Sequence, residues 1–163
     1  MLNKSKVALL GAFAAAGLVS NGANAATVSA TAEVDILAPV ILAQTAGLDF
    51  GVVAAGAGAG TVTMPTGSDI RTCSVGLVCV GAAQRGAFAV TGASTYTIAI
   101  TVAAATTLTG AGAPMALTLN PGAASVVATG LPQTFFVGGT LAVGAAQTPG
   151  TYVGTYNVSA DYQ

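Results

Sequence analysis

The chain has 163 residues, 53% of them hydrophobic, with four Lys or Arg, five Asp or Glu and no His. So few cations leave nothing to neutralise a phosphate backbone, which excludes nucleic acid as a partner, and general acid–base catalysis lacks its commonest side chain. Low charge also leaves little repulsion between molecules, which suits a subunit packed against copies of itself.

Lys4 and Lys6 precede an apolar run from Val7 to Val19, and Ala23-Asn24-Ala25 forms a small-residue cleavage site. That is the layout of a secretory signal peptide, and the run is short for a bilayer span. Residues 1–25 are therefore expected to be removed. Both lysines leave with them, so residues 26–163 carry two arginines against five carboxylates, a net charge of −3. Thr and Gly interrupt every later apolar run, so no membrane span is expected after cleavage.

From residue 26 onward, period-two alternation recurs between Gly-rich breaks, the mark of an all-β sandwich or barrel. Val28, Ala30, Ala32, Val34 and Ile36 form the first apolar row, with Thr27, Ser29, Thr31, Glu33 and Asp35 between them. Residues 26–37 are read as an N-terminal strand, either the domain's own first strand or an extension given to a neighbour. Ala38-Pro39 interrupts, because Pro lacks a ladder donor, and residues 38–163 form the sandwich domain. Val40, Leu42, Leu48 and Phe50 share one parity, and Gly51 and residues 54–60 read as a flexible connection. Val62 and Met64 make a short strand, and Cys73 to Val80 a hairpin. Phe88 with Val90, then Tyr96, Ile98, Ile100 and Val102, give two more strands. Met115, Leu117 and Leu119 run into the turn Asn120-Pro121-Gly122, and Phe135, Val137, Leu141 and Val143 precede Gly144. No helical period survives in the mature chain.

The last element is the plainest. Tyr152, Gly154, Tyr156, Val158, Ala160 and Tyr162 alternate with Thr151, Val153, Thr155, Asn157, Ser159 and Asp161, so one face is expected in the core and the other in solvent. This core is built largely from Val, Leu, Ile and Ala, with no Trp. Burying a large apolar side chain contributes roughly 1.5–3 kcal/mol and an Ala much less, so a domain of this composition has little stability to spare if a strand is missing.

Cys73 and Cys79 flank five residues with Gly76 at their centre. In an exported chain two cysteines normally pair, and Gly supplies the turn. A loop this short is worth roughly 2–2.5 kcal/mol. A metal pair or redox site is the competing reading, but no His and no third Cys exist to complete a ligand set, and the spacing is not that of a Cys-X-X-Cys motif. No metal, no cofactor and no catalytic residue is expected. Glu33 and Asp35 read as a solvated strand face, Asp69 and Arg71 as an edge ion pair. The run Gly56-Ala57-Gly58-Ala59-Gly60 lacks the Lys and helix of a phosphate loop.

Two resemblances follow from these residues. The C-terminal row resembles the last strand of chaperone–usher pilus subunits, where a penultimate Tyr and a Gly fourteen places from the end mark the edge that a periplasmic chaperone grips. Here those positions are Tyr162 and Gly150. The resemblance implies an immunoglobulin-like or pilin-like antiparallel β-sandwich, with Gly150, Tyr152, Tyr156, Val158 and Tyr162 as candidate chaperone contacts. The short cysteine spacing departs from most pilins. Separately, Gln44-Thr45-Ala46-Gly47-Leu48-Asp49-Phe50-Gly51, Phe136-Val137-Gly138-Gly139-Thr140-Leu141 and Pro149-Gly150-Thr151-Tyr152-Val153-Gly154-Thr155-Tyr156 are similar to an uncharacterised family of exported bacterial domains, related in style to pilins and spore-coat-like secreted domains. That similarity implies a fold class and a compartment, not a ligand.

The expected function is a structural subunit of a bacterial surface filament or coat. Its partners would be copies of itself and a periplasmic chaperone in transit. In pilins an alternating N-terminal extension completes a neighbour's sandwich, and Val28, Ala30, Ala32, Val34 and Ile36 have that pattern. The alternative is a monomeric secreted adhesin or binding module. An outer-membrane barrel would need longer strands and aromatic girdles, and a functional amyloid would more naturally show a repeat.

Overall fold

The computed structural model describes residues 25–163, so the signal-peptide expectation lies outside the described residues except for Ala25. Residues 25–35 and Ile36–Gln163 are separate units. The first carries no strand, although it has the alternation of one.

The second unit is all-β and antiparallel. Its strands are β1 (Ile41–Ala46), β2 (Val52–Ala54), β3 (Gly60–Met64), β4 (Thr72–Cys73), β5 (Val78–Val80), β6 (Gly86–Thr91), β7 (Thr97–Val102), β8 (Ala105–Leu108), β9 (Met115–Pro121), β10 (Ser125–Val127), β11 (Gln133–Val143) and β12 (Val158–Tyr162). β1, β3, β4, β6, β8, β9 and β11 make a seven-stranded sheet, β7 lies between β10 and β12 in a second, and β2 pairs with β5 in a third.

β11 organises the large sheet. Val137 faces both Gly86 and Pro121, so β6 and β9 occupy opposite edges of it. Gly139 to Leu141 face both β3 and β9, so β3 takes the edge that β6 leaves. The change of partner falls at Gly138, where an added Cβ would collide with the carbonyl of Met64. A residue with any side chain could not make that switch.

Most of the buried rows are ones the alternation marks, although Tyr96 precedes β7 and is exposed. Val62 and Met64, Phe88 and Val90, Met115, Leu117 and Leu119, and Phe135, Val137, Leu141 and Val143 come from the large sheet, and Ile98 and Ile100 from β7. Phe88 stacks on Phe135 at 5.5 Å between ring centroids.

Four local expectations are corrected. Cys73 to Val80 is not a hairpin: β4 pairs with β3 and β5 with β2, and Leu77 in the connection turns into the core instead of extending a strand. Residues 54–60 are not wholly a connection, because Ala54 closes β2 (Val52–Ala54) and Gly60 opens β3. Asn120-Pro121 closes β9 rather than starting the turn, with Pro121 still opposite Val137. Asp69 pairs with Arg85 at 3.6 Å, not with Arg71. Arg71 donates instead to the carbonyl of Val80 at 2.6 Å. Burial and backbone satisfaction won over local pattern in each case.

Candidate assembly groove and the two alternating rows

The C-terminal row is seated by glycines. Tyr152, Tyr156, Val158, Ala160 and Tyr162 pack against the core, while Thr151, Thr155 and Asn157 are exposed. Only Val158–Tyr162 pairs as a strand, with β7; upstream, Val153 bridges to Thr109. Each tyrosine ring lies over backbone that has no side chain. A Cβ on Gly86 would stand 2.6 Å from the Tyr156 hydroxyl, one on Gly92 2.8 Å from that of Tyr162, and one on Gly110 2.8 Å from the Tyr152 ring. The tyrosines stand out in the sequence and their seats do not: Gly86 alone lies in a strand, where a Gly signals close approach, while Gly92 and Gly110 lie outside strands.

The three hydroxyls differ. Tyr162 accepts from the Ala93 amide at 2.6 Å and donates to the Ala38 carbonyl at 2.7 Å, so it ties the start of the domain to its end. Tyr152 donates to the Thr148 carbonyl at 2.8 Å and accepts from Gln147. Tyr156 has a buried hydroxyl with no partner, and burial raises its pKa above the ordinary 10.0. Gly150 sits in an open turn at φ 152° ahead of the row.

Cys73 and Cys79 are joined in a disulfide with their Cα atoms 6.5 Å apart. Since β4 belongs to the large sheet and β5 to the small one, the bond ties one sheet to the other. Gly76, at φ 94°, makes the turn between them. Arg71 supports the same join through Val80, and Arg85 fixes the neighbouring loop by donating to the Thr66 carbonyl at 2.7 Å while lying over the Phe136 ring. Both arginines thus hold the frame.

Val28, Ala30, Ala32, Val34 and Ile36 are all exposed, with Val28 92%, Val34 80% and Ile36 91% accessible. Glu33 and Asp35, on the other parity, are exposed too.

The domain also holds an apolar groove of about 850 Å³. Its floor comes from alternate residues of two strands, Met115 and Leu117 of β9 and Leu141 and Val143 of β11. Tyr152 and Tyr156 also line it, and Asp49 is the one charged residue of the lining. Asp49 is already engaged, accepting from the Gly51 amide at 2.7 Å.

The chain belongs to the family described as domain of unknown function DUF4402, which it matches over residues 40–162. The match runs through all twelve strands and leaves the N-terminal row outside it. No curated protein and no solved structure matches the chain.

Proposed function

We propose that this chain, once exported, is a structural subunit of a bacterial surface filament or coat, joined to its neighbours by strand complementation. The observation that carries the reading is the N-terminal row. Five alternating apolar residues with strand-forming neighbours belong to no strand and stand open to solvent. Monomeric soluble proteins rarely leave such a row uncovered, and its unpaired backbone groups gain from joining a sheet. The net charge of −3 on the mature chain offers little repulsion between closely packed copies. The disulfide fits passage through an oxidising compartment. Among the described residues β12 pairs only with β7, which leaves an edge carrying Tyr162 for a chaperone to hold before assembly.

Deletion of residues 27–36 tests the reading. The mature protein should give a heat-sensitive ladder on an unboiled gel, and the deletion a single folded species. A mature protein that runs as one stable monomer contradicts it. The second reading, a monomeric binding module, draws on the groove, whose volume lies in the range that holds small ligands.

A further inference from the structure

We infer that the groove is a binding site for a quaternary ammonium group carried on a short apolar chain, with Asp49 as its counter-ion. The inference is independent of the assembly reading and gives a ligand class to the groove on which the second reading draws.

The size and floor of the groove suit the apolar part of such a ligand. Its volume of about 850 Å³ is that of a small-molecule site, and Leu117 and Leu141 on the floor offer only apolar contact. The polar groups of the lining are fewer in practice than in name. The Gln147 amide nitrogen donates to the Ala113 carbonyl at 2.6 Å and to the Tyr152 hydroxyl at 2.9 Å, which uses both of its hydrogens. Tyr152 passes its own proton to the Thr148 carbonyl at 2.8 Å. The Tyr156 hydroxyl is buried beside Gly86, out of contact with solvent. A sugar, whose hydroxyls each need a partner when they leave water, would find these groups occupied or out of reach.

What remains is one negative charge and aromatic surface. Asp49 is the single charged residue of the lining, and neither Arg71 nor Arg85 belongs to it. Among the described residues the one ion pair joins Arg85 to Asp69, so no guanidinium neutralises Asp49. The Asp49 side chain accepts from the Gly51 amide through one oxygen, Oδ1, and the residue is exposed. Phe50, Tyr152 and Tyr156 bring three aromatic residues to the same lining. Aromatic faces attract cations, quaternary ammonium groups above all. Such a group carries charge but no N–H, so it asks for a carboxylate and ring surface and for no further acceptors. A primary ammonium would bring three donors to satisfy, and a ligand carboxylate would be repelled by Asp49.

Calorimetric titration of residues 26–163 with octyltrimethylammonium, octanol and octanoate, each below its micelle-forming concentration, tests the inference. The cation should bind about fivefold more tightly than octanol, and octanoate more weakly than either. Asp49→Asn keeps an oxygen for the Gly51 amide and should erase most of that preference while octanol binding stays unchanged. Asp161→Asn, on β12 and outside the lining, removes the same charge and should leave the preference intact. If octanol binds and the cation binds no better, or if the two variants behave alike, the groove takes apolar ligands without reading a head group; the inference fails and the second reading stands. If none of the three binds, the inference and the second reading fall together, and the assembly reading is untouched.

Discussion

Residues 28–36 and 152–162 carry the same alternation and meet opposite fates. Val28 to Ile36 belong to no strand and are exposed, whereas Val158 to Tyr162 pair with β7 and bury alternate side chains. Alternation therefore states that a segment can be a strand, not where its partner lies. What separates the two rows is the landing site. The C-terminal row has three tyrosines, each set on a glycine of another segment, while the N-terminal row offers only Val, Ala and Ile. A Tyr over a bare backbone brings a large buried area to one defined position, and that fixes register. An Ala row fixes none, and stays available.

The comparison breaks most severely if a buried position of the C-terminal row accepts charge. Val158→Asp should cost about 3 kcal/mol or more, because a carboxylate would lack a partner in the core, and the protein should fail to accumulate. Asn157→Asp, on the exposed parity, should be mild. Equal behaviour of the two in a secretion assay would show the parity to be wrong.

Removing the disulfide is next in size. Cys73→Ser with Cys79→Ser should lower stability by about 2 kcal/mol in urea unfolding. Since the bond joins the large sheet to the β2–β5 sheet, protease cleavage should then appear first between Gly51 and Gly60. Unchanged stability would remove the bond from the account. Alkylation without reduction should modify neither thiol in the native protein.

Much of the fold was legible because buried β-rows announce themselves: Val62 with Met64, Ile98 with Ile100, and the β11 row were all readable as strands with an inner face. The short strands β2, β8 and β10 were not. Val52-Val53-Ala54 has no alternation to read, and it becomes a strand only because Arg71 and the disulfide bring Val78–Val80 beside it. The disulfide itself was legible from two cysteines and a Gly, while the sheets it joins were not, because pairing across distant segments leaves no local trace. The groove has the same origin, because residues 48–55 and 147–154 line it together although they are far apart in the chain.

The glycine seats give a finer test. Gly86→Ala should cost about 1–3 kcal/mol by forcing the Tyr156 ring from its place. Tyr156→Phe alone should be neutral or slightly stabilising, since it deletes a buried hydroxyl without a partner. Combining them should recover part of the Gly86→Ala loss, measured as a double-mutant cycle. There is also a pH signature. Burial raises the folded pKa of Tyr156 above the unfolded 10.0, so the folded state holds this proton more tightly. Its contribution is fully present below pH 10 and is lost as pH rises through the folded pKa. Tyr156→Phe should therefore reduce the fall in melting temperature above pH 10; an unchanged slope would contradict the assignment.

The smallest effect on stability should come from the N-terminal row, and there the readout changes. Ala32→Asp and Thr31→Asp should each shift domain stability by less than about 0.5 kcal/mol, because both positions are exposed. On assembly they should part: Ala32→Asp abolishes the ladder and Thr31→Asp preserves it. Loss of both ladders, or of neither, would leave the row without a buried face in the assembly.

Hydrogen exchange on residues 26–163 tests the central claim most directly, read at the amides of residues 27–36 before and after assembly. The account predicts exchange close to the free-chain rate in the isolated subunit and strong protection in the assembled form, with the amides of β7 and β11 protected in both. Protection of residues 27–36 already present in a stable monomer, or missing from the assembly, would contradict it.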